Sequence, residues 1–360
     1  MLTDIKIKPD YEAFLSNLKR EGTPKRVHYM ELFLDGEIKW NIINRYGIGS
    51  DISKDDPYYY LKMEIALQRF LGYDYVSSGI EGFGFPRDVL QAEDTTDIEN
   101  QKREVRGWTD EHKGPVNSWE DFEKYPWPNS ANYTTKTLEW LTANLPDDMC
   151  IVAGCHSIFE EVTWLTGYEF LCYAIHDMPD LVDAMFAKIG KLFNEVAEIL
   201  AQFDRIKVIF GGDDMGFNTQ PMVSPDILIN KSFPWHKNNA EITHKAGKLY
   251  LLHACGNLVP LMDSLINYVK IDGRHSYEDV IEPVILAKKR YGSQIAIIGG
   301  IDVHFLCTSN EEQIRKRVRE TLDACMSGGG YCLGSGNSVT NYIPVNNYLA
   351  MMDEGRKYTA

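Results

Sequence analysis

Short apolar runs alternate with segments of helical periodicity along most of the chain. Residues 207–210 and 249–253 are runs of four or five mostly apolar residues, typical of strands that are buried on both faces. Between such runs, apolar residues recur at helical spacing, Ser224-Pro225 is typical of a helix start, and Gly72 is typical of a helix end. About eight strands alternate with helices in this way, which predicts a parallel sheet covered on both sides.

Eight such units in a chain of 360 residues predict a (β/α)8 TIM barrel. We expect a single domain over residues 1–360, with an N-terminal extension and an inserted loop region near residues 84–130. The chain has no Gly-x-Gly-x-x-Gly motif after its first strand, so a dinucleotide-binding domain is not supported. A doubly wound sheet is the alternative architecture.

Three further predictions concern single elements. An alternating pattern predicts a strand at Val27–Phe33, and a short apolar run predicts another at residues 269–272. Ser309 and Glu312 have the spacing of a capping box, which predicts the start of a late helix.

The charge of the chain limits the kinds of partner it can have. The formal net charge of -15 argues against nucleic-acid binding, which depends on Lys and Arg contacts to phosphate. There is no apolar run of the roughly 18 residues that a membrane span needs, and the N-terminus has no signal-peptide pattern. We therefore expect a cytoplasmic protein whose seven cysteines are reduced.

His253 and Cys255 are the leading candidates for chemistry. They are two positions apart at the end of a predicted strand, so their side chains should point to the same face. An imidazole and a thiolate are two of the ligands that zinc prefers, and Cys332 on the last predicted strand could be a third. The alternative is that His253 and Cys255 are ordinary core residues.

Other polar residues also follow predicted strands, where a barrel carries its active site. Glu81 and Asp214 are candidate catalytic carboxylates, and each could also complete a zinc site. Four residues are candidates for substrate binding, with local capping, a structural helix-entry role or a surface position as the alternatives: Asp213, His156, His275 and Asp302.

Four glycine-flanked motifs resemble the uroporphyrinogen decarboxylase superfamily, roughly over residues 20–355. They are Gly211-Gly212-Asp213-Asp214, His253-Ala254-Cys255-Gly256, Gly299-Gly300-Ile301-Asp302, and Leu333-Gly334-Ser335-Gly336-Asn337 before Pro344. The resemblance implies a (β/α)8 barrel and one of two activities. One branch of the superfamily decarboxylates a tetrapyrrole without a cofactor, and the other contains zinc-dependent, cobamide-linked methyltransferases.

The residues favour the methyltransferase branch. The decarboxylase branch has an arginine-rich segment where this chain has Val27 to Leu34, with one glutamate and no arginine. The methyltransferase branch uses a His-x-Cys pair and a distant Cys as zinc ligands, which the resemblance places at His253, Cys255 and Cys332. Ser335 is the alternative for the third position, because it lies in the matching Gly-x-Gly context.

The resemblance therefore implies a zinc-dependent methyltransferase. It would move a methyl group between a small molecule, a methoxylated aromatic or a thiol, and a corrinoid (methylcobamide), as in O-demethylation. We see no fused corrinoid-binding segment, so we expect the corrinoid on a separate protein. The rival hypotheses are a cofactor-independent decarboxylase and a barrel that binds a tetrapyrrole or corrinoid without catalysis.

Overall fold

Seven parallel strands in chain order form the central sheet of the computed structural model, which describes residues 4–94, 97–98, 101–102, 105–155 and 157–358. Each strand pairs in parallel with its neighbour, so all the carboxyl ends lie at one edge of the sheet. The seven strands are β1 (Tyr75–Ser78), β6 (Cys150–Cys155), β7 (Ile206–Gly212), β8 (Leu249–His253), β9 (Gly273–His275), β10 (Ala296–Ile298) and β11 (Tyr331–Cys332).

The helices connect and cover these strands. Helix α8 (Pro179–Ala201) packs against β6 and β7, and helix α10 (Phe233–Lys245) packs against β8 and α8. The helices of the described chain are α1 (Tyr11–Leu18), α2 (Gly36–Tyr46), α3 (Tyr59–Leu71), α4 (Trp119–Lys124), α5 (Lys136–Asn144), α6 (Phe159–Thr166), α7 (Tyr168–Asp177), α8 (Pro179–Ala201), α9 (Pro225–Ile227), α10 (Phe233–Lys245), α11 (Met262–Ser264), α12 (Val284–Tyr291), α13 (Val303–Thr308), α14 (Glu311–Cys325) and α15 (Val345–Lys357). Short 3-10 turns cover Ser130–Asn132 and Val259–Leu261, and π-helical turns cover Leu228–Ser232 and Leu265–Val269. Within the described residues, no helix has both the length and the hydropathy to cross a bilayer.

The segment predicted as a strand at Val27–Phe33 occupies the eighth position beside β11, but only as isolated bridges. Tyr29 bridges Leu333 in parallel, and Leu34 bridges Val339. Its link to β1 runs through side chains, for example the Tyr75 hydroxyl that accepts a hydrogen bond from the Glu31 backbone N–H at 3.1 Å. The prediction of a barrel is therefore confirmed for seven parallel strands. The eighth position holds a segment joined by isolated bridges instead of a continuous strand.

The region near residues 84–130 carries two small antiparallel pairs outside the central sheet. Strand β2 (Val89–Glu93) pairs with β5 (Val105–Thr109), and β3 (Asp97–Ile98) pairs with β4 (Gln101–Lys102). Leu90 pairs directly with Trp108, and both side chains are exposed. The region is thus an insertion with structure of its own.

Two of the element predictions are wrong. The strand predicted at residues 269–272 begins only at Gly273, because Lys270 has a left-handed φ of 66° and its N–H bonds back to Leu265. The capping box lies one residue later than predicted, with Asn310 as the N-cap and Gln313 as its partner.

We expect Asn17→Ala to destabilise the fold by about 2–4 kcal/mol, because it removes two buried hydrogen bonds between α1 and the start of β11. The Asn17 amide donates to Tyr331 O at 2.8 Å and accepts from Gly330 N at 3.1 Å. Urea unfolding measures the change. Asn144→Ala, at an exposed position, is the control and should stay within about 0.5 kcal/mol of the parent chain. An effect of Asn17→Ala no larger than that of the control would contradict this account.

Candidate metal centre

Three side chains with metal-ligating atoms meet where β7 and β8 end. Asp214, His253 and Cys255 each offer one such atom, and these atoms lie within 4.8 Å of one another. Strand pairing explains the meeting, since Gly212 is the partner of His253 across the two strands. Asp214 follows Gly212 by two positions, as Cys255 follows His253, so both end at the same edge of the sheet.

The three groups already contact one another closely. Nε2 of His253 is 3.3 Å from Sγ of Cys255 and 3.6 Å from Oδ1 of Asp214. The same Asp214 oxygen accepts a hydrogen bond from the Cys255 backbone N–H at 3.1 Å. His253 is 5 % exposed, whereas the Asp214 side chain is 41 % exposed, so the centre is open on the carboxylate side.

A hydrogen-bonded chain fixes which nitrogen of His253 carries the proton. The Ser335 carbonyl can only accept, so the His275 Nε2–H donates to it at 3.2 Å. Nδ1 of a neutral His275 is then an acceptor, and the His253 Nδ1–H donates to it at 2.7 Å. Nε2 of His253 is therefore left with a lone pair facing Cys255 and Asp214, as a metal ligand requires.

The surroundings keep both buried groups neutral when no cation is present. Burial, with a contribution from Arg274, lowers the pKa of His253 to about 3. Burial and the Asp214 carboxylate raise the pKa of the Cys255 thiol well above its usual range. A divalent cation reverses the second effect, because a coordinating thiol loses its proton. The donor set of one nitrogen, one sulfur and one carboxylate oxygen therefore fits a zinc ion with a further position open to substrate or water.

The turn after Cys255 depends on glycine and on a buried arginine. Gly256 has φ +85°, and a Cβ there would lie 1.9 Å from the Gly216 carbonyl oxygen. The Arg274 guanidinium donates to the carbonyls of Ala254 and Gly256, at 3.4 Å each. These contacts hold the Cys255 backbone in place. Arg274 was not among the predicted site residues, because it lies within β9, two positions beyond the strand that was predicted at residues 269–272.

The structure corrects the assignment of Cys332. Its Sγ accepts a hydrogen bond from the Asn17 amide of α1 at 3.4 Å, and its side chain is fully buried. Burial and the carboxylate of Asp74 raise the pKa of this thiol far above its usual range. In the described chain, the group of metal-ligating atoms does not include Cys332. Strand β11 ends at Cys332, five residues before Asn337, which reaches the metal centre.

Ser335 lies near the centre, as the alternative prediction placed it, but its side chain points elsewhere. Its Oγ bonds to Oε2 of Glu31 at 2.5 Å, and its N–H donates to Oε1 at 2.8 Å. Asn337 is the residue of this loop that reaches the centre, where its amide donates to Sγ of Cys255 at 3.2 Å. The Gly334–Asn337 motif therefore supports His253 and Cys255 through hydrogen bonds. Within the described residues, it adds no metal ligand to the group.

Two of the predicted carboxylates lie elsewhere. Glu81 is exposed, bridges Thr134 through its backbone, and accepts a hydrogen bond from the Thr137 hydroxyl. It is not part of the metal-ligating group. Asp213 is buried, and its carboxylate caps the start of α6 by accepting from the N–H groups of Phe159 and Glu160 at 3.0 and 2.8 Å. Neither residue is placed for the role predicted for it, because each is already bonded to its neighbours.

The other predicted substrate-binding residues have mixed outcomes. His275 is fully buried and supports His253, so it has no surface for substrate. Asp302 lines a cavity, but both of its carboxylate oxygens accept backbone N–H groups, from Phe305 at 2.9 Å and Asp279 at 3.0 Å. His156 lies outside the described residues.

Glu160, at the start of α6, is a carboxyl that the sequence analysis missed. Burial and the carboxylates of Asp214 and Asp213 raise its pKa to about 9. It therefore keeps its proton at neutral pH, close to the candidate ligand Asp214. Its place four residues after the predicted strand end at Cys155-His156 was the available signal.

A cavity of about 700 Å³ lies next to the centre. Asn337 belongs to its wall and also bonds to Cys255. The wall combines aromatic rings with carboxylates, among them Phe33, Phe305, Tyr342, Glu278 and Asp302. Arg106 of the inserted β5 strand also lines it. Asn337 therefore links the wall of the cavity to the sulfur of Cys255.

We expect the burial of a neutral His253 to make a destabilising contribution to the metal-free chain as the pH falls from 6.5 towards 3. The imidazole of His253 has a pKa of about 3 when folded against an ordinary value of 6.5, so the unfolded chain binds the proton first. His253→Asn should reduce the slope of unfolding free energy against pH by up to about 1.4 kcal/mol per pH unit in this window. Urea unfolding at several pH values measures it, and His304→Asn, at an exposed site, is the control. Equal slopes for His253→Asn and the parent chain would contradict the burial of a neutral His253.

Comparisons with known proteins agree with this architecture. A methyltransferase from Methanosarcina mazei superposes with a TM-score of 0.67 at 15 % identity, covering 96 % of this chain and 97 % of that one. A B12-independent methionine synthase from Shewanella sp. W3-18-1 matches at 14 % identity and a TM-score of 0.45, over 93 % of this chain and 94 % of the other. The sequence matches no curated protein. The sequence model for uroporphyrinogen decarboxylase (URO-D) matches residues 88–358, so the chain belongs to the uroporphyrinogen decarboxylase family.

Proposed function

We propose that the chain is a zinc-dependent methyltransferase that moves a methyl group between a small substrate and a corrinoid carried by a separate protein. The observation that carries the proposal is the meeting of Asp214, His253 and Cys255 beside a substrate-sized cavity. The structural likeness to a methyltransferase, at 15 % identity, supports the fold that such an enzyme needs. A methoxylated aromatic or a thiol is the proposed substrate class.

Each residue of the centre has a definite part in this proposal. Asp214, His253 and Cys255 would hold the zinc ion, with His275 and Asn337 orienting two of them. When bound, zinc supplies Lewis-acid chemistry that polarises a methoxy oxygen or lowers the pKa of a substrate thiol. Glu160 is the proposed proton donor to the leaving oxygen, since it is a neutral carboxylic acid whose pKa is raised by burial and by the nearby Asp214 carboxylate.

The charge of the cavity favours methyl transfer over tetrapyrrole decarboxylation. A substrate with many carboxylates needs several arginines that converge on it. Among the described residues that line this cavity, Arg106 is the one arginine, and four carboxylates line the same wall: Asp35, Glu278, Asp279 and Asp302. An uncharged methyl donor with an aromatic ring fits such a wall better, since Phe33 and Tyr342 present about half of their surface to solvent.

We expect the purified chain to bind roughly one zinc ion, and Cys255→Ala and Asp214→Ala to lose most of it. Cys332→Ala is the matched control and should retain the metal, because its sulfur is bonded to α1 instead. Metal analysis after dialysis measures the stoichiometry. Loss of zinc in Cys332→Ala, with retention in Cys255→Ala, would overturn the assignment.

Methyl transfer itself is tested with a methoxylated aromatic, a thiol and free reduced cobamide as methyl acceptor. The spectrum of the cobamide changes when its cobalt is methylated, which gives a direct assay. We expect Cys255→Ala to lower the rate by about 100-fold or more, since even the supporting neighbours of a metal contribute about 10–100-fold. Release of CO₂ from a carboxylated substrate without methyl transfer would favour the decarboxylase hypothesis. Binding of cobamide without turnover would favour the non-catalytic one.

A further inference from the structure

Glu31 is a buried carboxyl that the proposed reaction does not use. It is 3 % exposed and lies in the segment that bridges β11. Both of its oxygens accept hydrogen bonds from Ser335, one from the backbone N–H at 2.8 Å and one from the hydroxyl at 2.5 Å. Burial raises the pKa of Glu31 to about 8 in spite of these bonds. A buried carboxyl is costly, so its place beside this loop calls for an explanation.

The loop held by Glu31 (Gly334–Asn337, the anchored loop) contacts the candidate ligand Cys255 directly and the candidate ligand His253 through His275. The Ser335 carbonyl accepts from His275, whose ring accepts from His253. Asn337 donates to Sγ of Cys255 at 3.2 Å. Two sets of hydrogen bonds therefore connect the Glu31 carboxyl to the candidate metal centre. One leads to the imidazole of His253 and the other to the sulfur of Cys255.

The anchored loop fits closely against the Glu31 segment. A Cβ at Gly334 would lie 2.1 Å from the Met30 carbonyl oxygen and 3.2 Å from the Glu31 carboxylate. The segment and the loop are also joined by the backbone bond from Met30 N to Leu333 O at 3.0 Å. A side chain at Gly334 would force them apart, so the contact has little room to shift.

We propose that Glu31 is a positioning residue: through the anchored loop it fixes the tautomer of His253 and the place of the Cys255 sulfur. When Glu31 holds Ser335, the Ser335 carbonyl faces Nε2 of His275, and the proton of His253 stays on Nδ1. The lone pair of His253 Nε2 then points at the metal position before any metal arrives. The effect on metal binding rests on the proposed function, whereas the effect on the tautomers does not.

The variant that tests this is Glu31→Leu. It keeps a side chain of similar size but offers no hydrogen-bond partner to the backbone N–H or the hydroxyl of Ser335. We expect the metal-free variant to show a mixture of His275 tautomers and of His253 tautomers, where the parent chain shows Nε2–H for His275 and Nδ1–H for His253. Two-dimensional ¹⁵N NMR of labelled histidines reports the tautomers directly. We also expect the zinc affinity, measured by competition with a coloured chelator, to fall by about 10–100-fold.

Two further variants separate positioning from general destabilisation. Asn17→Ala removes buried hydrogen bonds at the start of the same strand, so it should lower stability and leave the tautomers and the zinc affinity unchanged. Ser335→Ala loses the hydroxyl bond and keeps the backbone bond to Glu31, so it should change both readouts in the same direction but less. It also serves as the test if Glu31→Leu does not fold.

The readouts also distinguish this inference from the proposed function. Unchanged histidine tautomers in Glu31→Leu, or in Ser335→Ala if Glu31→Leu does not fold, would overturn the inference, whatever the zinc affinity. Shifted tautomers in a chain whose parent form binds no zinc would uphold the inference and overturn the proposed metal centre. Equal tautomer shifts in Asn17→Ala and Glu31→Leu would mean that stability alone is responsible, and would also overturn the positioning role.

Discussion

The hydrogen bond between the two Nδ1 atoms of His253 and His275 is the contact on which the candidate metal centre depends. At 2.7 Å it requires one ring to donate and the other to accept, and the Ser335 carbonyl decides which. If the order were reversed, Nε2 of His253 would carry a hydrogen towards Cys255 and Asp214, and the three groups could not share a cation. The chemistry of the centre is thus decided by residues that would never touch a substrate.

The parallel sheet gives the centre its other constraint, which is distance. Pairing of Gly212 with His253 brings the loops after β7 and β8 side by side. The Cys255 backbone N–H can therefore donate to the carboxylate of Asp214, which lies 41 positions earlier in the sequence. Asp213 and Asp214 are adjacent yet have different surroundings. One is buried as the cap of α6, and the other is partly exposed beside His253 and Cys255. At the end of β7, two consecutive side chains therefore have different roles. Asp213 is a structural carboxylate, and Asp214 is a candidate metal ligand.

Some of this could be predicted from the sequence, and the reasons differ from residue to residue. The alternation of a strand is local, so His253 and Cys255 could be placed on one face from their spacing alone. Cys332 could not, because β11 has only two residues, and which way they face depends on α1, whose Asn17 binds the cysteine sulfur. Glu31 and Ser335 are 304 positions apart, and no local pattern predicts that they bond. Helix and strand positions were predicted well where apolar runs were long. They failed at residues 269–272, where a left-handed Lys270 delays the strand.

The most direct test of the account is X-ray absorption spectroscopy of the zinc-loaded chain. Sulfur scatters differently from nitrogen or oxygen, and zinc–sulfur distances of about 2.3 Å are longer than the roughly 2.0–2.2 Å to nitrogen and oxygen ligands. The account predicts one sulfur, from Cys255, with nitrogen and oxygen in the other positions. Two sulfur ligands at the zinc would contradict it, since a second cysteine would then have to leave its place in the structure and join the centre.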